Sequence, residues 1–147
     1  MPSPSSPPSK VVETALPRMR RELHLTTAPI DEAALVAARP RDPALGAVLH
    51  FTGVVRGTEG AHPIRALDYE AFEAMARHQF GVLFDEIARR WPIASVRLVH
   101  RLGPVAAGEP SLWVELTAPH RGEAFAAAQW LIDEMKRVVP IWKHPVA

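Results

Sequence analysis

A chain of 147 residues, 48% hydrophobic and 22% charged, has the makeup of one ordinary globular domain, long enough to bury about 70% of its unfolded surface. Its 17 basic and 16 acidic residues leave a formal charge of +1, which argues against a broad electrostatic hold on nucleic acid. No apolar run approaches the ~20 residues of a bilayer span, no basic-then-apolar leader opens the chain, and a cysteine count of zero excludes disulfides and thiol catalysis, so the expected compartment is the cytoplasm.

The opening MPSPSSPPSK is rich in Pro and Ser and poor in apolar side chains. Such a composition cannot offset the entropy of ordering, so residues 1–20 are expected to form a flexible extension and residues 21–147 the folded domain. Glu22 to Thr26 alternates with period two and predicts a strand. Thr27 is placed to cap a short helix from Pro29 to Ala38, with Asp31 and Glu32 in the first turn, where the helix dipole favours anions. Gly46 to Thr52 predicts a strand apolar enough for burial on both faces. Gly53 to Arg56 extends it towards a loop at Gly57 to Pro63, and Ile64 to Tyr69 alternates again.

Phe72 to Arg90 predicts a long helix with a stripe of Phe72, Met75, Phe80, Leu83 and Ile87. It ends at Trp91, because a residue before proline disfavours the α region. Strands at Ile93 to Leu102 and Leu112 to Ala118 flank a turn region bracketed by Gly103-Pro104 and Gly108-Glu109-Pro110. A final helix opens at Arg121. It carries Ala124, Phe125, Ala128, Leu131, Ile132, Met135 and Val139 on one face, and Gln129, Asp133 and Lys136 on the other. Some strand connections are too short for parallel crossovers. The pattern therefore predicts an α+β domain, with a mixed, mainly antiparallel sheet covered by two main helices.

Candidate chemistry gathers at boundaries of these elements. His120-Arg121 stands where a strand gives way to a helix, a place that attracts phosphate or carboxylate; taken alone, the pair also fits a helix start whose charges face water. Lys136 sits on a polar helix face three residues after Asp133, which also fits a solvated lysine in a weak surface ion pair. Lys143 follows Pro140-Ile141-Trp142, an apolar run that suits a buried edge strand or an anchored tail. There its amine is either partly desolvated and reactive or simply exposed. Arg56 precedes a glycine-containing loop, but GVVRG has neither the Walker spacing nor GxGxxG. The seven histidines show no HExxH and no metal-ligand spacing, so no metal and no cofactor is expected. His50 and His100 fall within apolar strands and read as hydrogen-bonded sheet residues.

Five segments occur in order: FTGVVR, YEAFEAM, HRLG, APHRGEAF and MKRVVPIWK. Together they closely resemble the large, catalytic subunit of molybdopterin synthase, over about Leu23 to Lys143. The resemblance implies an α/β hammerhead-type fold and a homodimer, for which Leu112 to Leu116 is a candidate interface strand. It implies a partner, a small ubiquitin-like sulfur carrier whose Gly-Gly tail ends in a thiocarboxylate. It also implies sulfur transfer to cyclic pyranopterin monophosphate, giving molybdopterin. Carried over by motif, Arg56, His120 and Arg121 would bind the substrate, and Lys136 and Lys143 would line the reaction centre. Two positions depart from the family pattern. Val54 stands where a polar or basic residue is frequent, and Pro145 stands where an acidic one is usual. The alternative is a non-catalytic paralogue that only holds the carrier.

Overall fold

A computed structural model describes residues 18–147, so the extension expected over residues 1–20 lies, but for its last three residues, outside the described residues. The elements run β1 (Arg20–Thr26), α1 (Glu32–Ala37), β2 (Ala47–Val54), β3 (Thr58–Glu59), β4 (His62–Pro63), β5 (Ala66–Ala71), α2 (Glu73–Arg90), β6 (Ser95–Arg101), β7 (Gly103–Ala106), β8 (Pro110–Ala118), α3 (Arg121–Val138) and β9 (Ile141–Val146). A four-stranded sheet has the order β1-β6-β8-β2. Its β1–β6 pair is parallel, and its other two pairs are antiparallel. A three-stranded antiparallel sheet has the order β7-β5-β9, and β3 and β4 form a small hairpin. The domain is thus α+β with mainly antiparallel pairing. Among the described residues no helix is long and apolar enough to cross a membrane.

The main core lies between the four-stranded sheet and the two long helices. Val96 and Leu98 of β6 and Val114 and Leu116 of β8 pack against Phe80, Phe84 and Ile87 of α2 and Ala127, Leu131 and Met135 of α3. Each large side chain sealed there contributes roughly 1.5–3 kcal/mol by leaving water.

Both helical stripes take their expected phase, with Phe80, Leu83 and Ile87 of α2 and Ala124, Ala128, Leu131, Met135 and Val139 at the end of α3 buried, but each has large residues that fall outside it. α2 buries Ala76, Phe80, Leu83, Phe84 and Ile87, and leaves Phe72 59% and Met75 41% exposed. Phe72 is the N-cap, with φ −85° and ψ 88°, so it does not follow the helical phase. In α3, Phe125 is 60% exposed while Ala124, Ala127 and Ala128 face the core. These small residues let the helix axis approach the sheet, and the large one turns outward.

The sheet corrects three further expectations. Asp31, not Thr27, caps α1, its Oδ1 accepting from Ala34 N at 3.0 Å. β2 is not buried on both faces. It is an edge strand paired only to β8, and it exposes Val48, Phe51 and Val54. Leu112 to Leu116 is sealed inside the central strand β8, so it cannot supply a subunit interface. The turn region after β6 also hides a short strand, β7, whose Val105 and β5's Leu67 form a second small core with Val55.

The sheet face away from the long helices holds charge. Glu115, 1% exposed, accepts from Arg97 Nε at 2.9 Å and Arg39 Nε at 2.6 Å, and Arg97 Nη2 donates to Leu35 O at 2.8 Å. Removing one partner would strand a buried charge. The network therefore fixes α1 and the segment after it over this face.

Candidate functional site

The two sheets meet along a cleft of about 550 Å³, walled by the end of β2, the β3–β4 hairpin, β5, the end of β6, the start of β8, the last turn of α3 and β9. Arg56, Lys136 and Lys143 all line it, although 87 residues of sequence separate the first from the last. Each arrives by a different local rule. Val55 is buried in the small core, donates from its N to Glu109 O at 3.0 Å and accepts from Gly108 N at 2.7 Å, so the backbone is fixed immediately before Arg56. Lys136 sits in the last turn of α3, where the helix dipole favours a cation. Lys143 lies opposite Tyr69 across the β5–β9 ladder, on the sheet face that looks into the cleft.

The lysines differ in their surroundings. The expected surface pair between Asp133 and Lys136 does not form; Asp133 instead accepts from Gln129 Nε2 at 3.0 Å. Among the described residues no ion pair engages Lys136, which leaves its ammonium available to a ligand. Lys143 Nζ lies 3.7 Å from Glu59 Oε1 on the hairpin, and its side chain is 51% exposed. It is therefore not the desolvated amine that the apolar Pro140-Ile141-Trp142 run allowed for. β9 is an edge strand, and Trp142 points to the outer face.

His120 and Arg121 do not join this group within one chain. They stand at the opposite end of α3, about 22 Å from Lys136 by the rise of a helix. They line a separate open pocket of about 500 Å³ with Gly46, Pro119, Gly122 and Glu123. His120 is the N-cap, in extended conformation, and its side chain makes no capping hydrogen bond. Gly46 N donates to Pro119 O at 3.1 Å, and a Cβ on Gly46 would stand 2.6 Å from that oxygen. Glycine is needed there for β2 and the start of α3 to come this close.

The cleft also holds His100, which the sequence marked as a hydrogen-bonded sheet residue but not as part of a site; it is 6% exposed. Its Nδ1 lies 2.7 Å from Arg101 O, and its ring meets Tyr69 edge-on at 5.1 Å. Tyr69 Oη donates to Ser111 Oγ at 3.3 Å, and Ser111 Oγ donates to Gly53 O at 3.4 Å. Burial pushes the His100 imidazole below its usual value, partly opposed by the backbone hydrogen bond, which favours the neutral ring. The available signal was its parity. His100 follows Val96 and Leu98 on the core face of β6, one step past the cover of the helices.

Three cations converging on a walled cleft, with one carboxylate at its mouth, suit an anionic ligand and can stabilise negative charge that develops during group transfer. Among the described residues no group of three His, Asp or Glu is placed to hold a metal ion.

The chain also resembles known proteins in sequence and in fold. The family described as MoaE protein matches residues 25–138. The molybdopterin synthase catalytic subunit of Nostoc sp. is 36% identical over 137 residues, which span 92% of this chain and 82% of that protein. The protein of the same name from Staphylococcus carnosus is 39% identical over 105 residues, 71% of this chain and 70% of that protein. Among solved structures, molybdopterin synthase from Staphylococcus aureus superposes with a TM-score of 0.76 at 31% identity, covering 84% of this chain and 89% of that one. On this agreement of sequence and fold, the chain belongs to the MoaE family of molybdopterin synthase catalytic subunits.

Proposed function

We propose that the chain is a molybdopterin synthase catalytic subunit acting in molybdenum cofactor biosynthesis. It is a sulfurtransferase that converts cyclic pyranopterin monophosphate to molybdopterin. The sulfur comes from the thiocarboxylate on the Gly-Gly tail of a small ubiquitin-like carrier. The observation that carries this reading is the convergence of Arg56, Lys136 and Lys143 on one cleft.

The chemistry asks for what the cleft offers. A cyclic phosphate needs cationic donors, and Arg56 supplies a fork suited to it. When a thiocarboxylate is attacked or transfers its sulfur, negative charge shifts between sulfur and oxygen. An ammonium already in place stabilises that charge without reorganisation. Lys136 is assigned this role because no carboxylate of the described residues holds its ammonium. Lys143, paired loosely with Glu59, is assigned to the same reaction centre. With no cysteine in the chain, the sulfur must arrive on another molecule.

His120 and Arg121 complete the site only if a second copy brings them. If both groups serve one substrate, the helix-length gap within a protomer must be closed by a homodimer. Exposed apolar residues support this. Phe51 and Val54 border the cleft, and Phe125 stands one turn from Arg121. An isologous contact would bury both patches and set each His120-Arg121 pair against the other copy's cleft.

The test is incubation with thiocarboxylated carrier and cyclic pyranopterin monophosphate, assayed for the dithiolene product. Product formation that needs Lys136 supports the enzyme. Carrier binding with no product would identify a scaffold instead.

A further inference from the structure

We propose that His100 Nε2 is the hydrogen-bond acceptor that holds the donor-bearing ring of the substrate at the floor of the cleft, making His100 a substrate-binding residue. This rests on the function proposed above and adds to it the group that recognises the uncharged part of the ligand.

The geometry fixes which ring nitrogen is free. Arg101 O, 2.7 Å from Nδ1, is a carbonyl and can only accept, so Nδ1 carries the hydrogen. In the neutral ring Nε2 then holds a lone pair. No protein donor meets it among the described residues, and the residue lines the cleft. The ring cannot swing away. The Tyr69 and His100 rings pack edge to face at an interplanar angle of 76°, and Tyr69 is tied to Ser111 and through it to Gly53 O.

The cleft otherwise lacks a buried acceptor among its side chains that carry charge. Arg56, Lys136 and Lys143 only donate, and the Glu59 carboxylate stands beside Lys143. Those donors can satisfy a phosphate. They cannot satisfy N–H groups, and a reduced pterin carries several on its rings. A buried N–H left without an acceptor weakens binding, so a neutral acceptor at the floor selects an anion whose body also donates hydrogen bonds. Burial, which favours the uncharged His100 ring, favours the acceptor. Protonation would remove it and add a fourth positive charge beside Arg56, Lys136 and Lys143.

Two measurements test this. The first uses the unaltered protein with ¹⁵N-labelled histidine. Adding cyclic pyranopterin monophosphate should move the His100 Nε2 resonance in the direction of an accepted hydrogen bond and leave Nδ1 nearly still. The second uses His100→Asn, whose amide can keep the bond to Arg101 O but ends short of Nε2. It should stay folded and keep carrier binding, and raise KM about 5-fold with a smaller change in kcat. Protonating His100, at a pH below the ordinary histidine range, should change wild-type affinity. That change should vanish in His100→Asn and persist in His120→Gln. An unmoved Nε2 resonance in wild type with bound substrate overturns the inference, whether or not His100→Asn folds. So does a folded His100→Asn with wild-type KM and pH profile. Failure of wild type to bind or convert the substrate would sink the proposed function instead, so the two failures are distinct.

Discussion

At its C-terminal end α3 delivers Lys136 into a cleft with walls from two sheets, whereas at its N-terminal end His120 and Arg121 stand on an open surface beside Gly46 and Pro119. The helix is the same, and its dipole favours anions at the N-terminal end and cations at the other. What differs is the opposing wall. The cleft has walls from two sheets that can take water off a ligand, and drier surroundings strengthen charge–charge contacts. The open end has charge and no depth, so a ligand bound there in a lone protomer keeps its hydration and gains little. A polar group at a helix start becomes a precise site only when another surface is laid on it.

The largest effect should follow from the walled end. Lys136→Ala should lower sulfur transfer by about 100-fold or more, the cost of losing one preorganised electrostatic donor. Its fold and carrier complex should remain, since an exposed helix lysine contributes no more than about 0.5 kcal/mol to stability. Lys136→Arg should restore little, because a planar guanidinium is no substitute for a compact ammonium that can exchange a proton. Turnover with saturating carrier and pterin, set beside a melting curve, checks both claims. Wild-type turnover in Lys136→Ala would move the chemistry to Lys143.

Arg56→Ala and Arg121→Ala come next. Each should weaken substrate binding by roughly 10- to 100-fold, the span of one charge-assisted contact of about 1.5–3 kcal/mol, and leave carrier affinity unchanged. Calorimetric titration with each ligand separates the two. Equal losses of both affinities would assign the arginines to the fold or to the carrier surface. Phe125→Glu should act on the open end alone. It places a charge in the proposed dimer contact, and light scattering at micromolar concentration should then show the ~16 kDa protomer rather than twice that mass. The mildest effect is expected for Glu59→Gln. The Glu59–Lys143 pair is half-exposed and worth about 1 kcal/mol at most, so freeing Lys143 should raise substrate affinity by no more than about 5-fold. Deleting residues 1–10 should change neither melting temperature nor turnover, because their composition builds no core.

Period and punctuation made much of the fold legible. Glu22 to Thr26 alternates and becomes β1, Trp91-Pro92 stops α2, and the helix from Arg121 starts where expected. The phase of both long helices was legible too, except around their first turns. Phe72 and Phe125 are the large apolar residues that a stripe recruits first, yet small alanines hold the helix faces closest to the sheet. The edge position of β2 was not legible, because an apolar run looks alike in a central strand and in an edge strand awaiting a partner. Nor was the Arg39–Glu115–Arg97 network, whose members lie up to 76 residues apart. The motifs supplied all three cations of the cleft but could not show that His120 and Arg121 lie a helix length away. His100 was visible only as one more residue on an apolar face.

The most direct test of a site shared between two copies is complementation. Lys136→Ala and Arg121→Ala protomers, each impaired alone, should be mixed and allowed to exchange. Half of the resulting dimers should be mixed ones, each with one site that has an intact Lys136 from one copy and an intact Arg121 from the other, so activity should recover to about one quarter of wild type. Activity that never rises above the average of the two separate variants would show that the ends of α3 do not meet across a dimer.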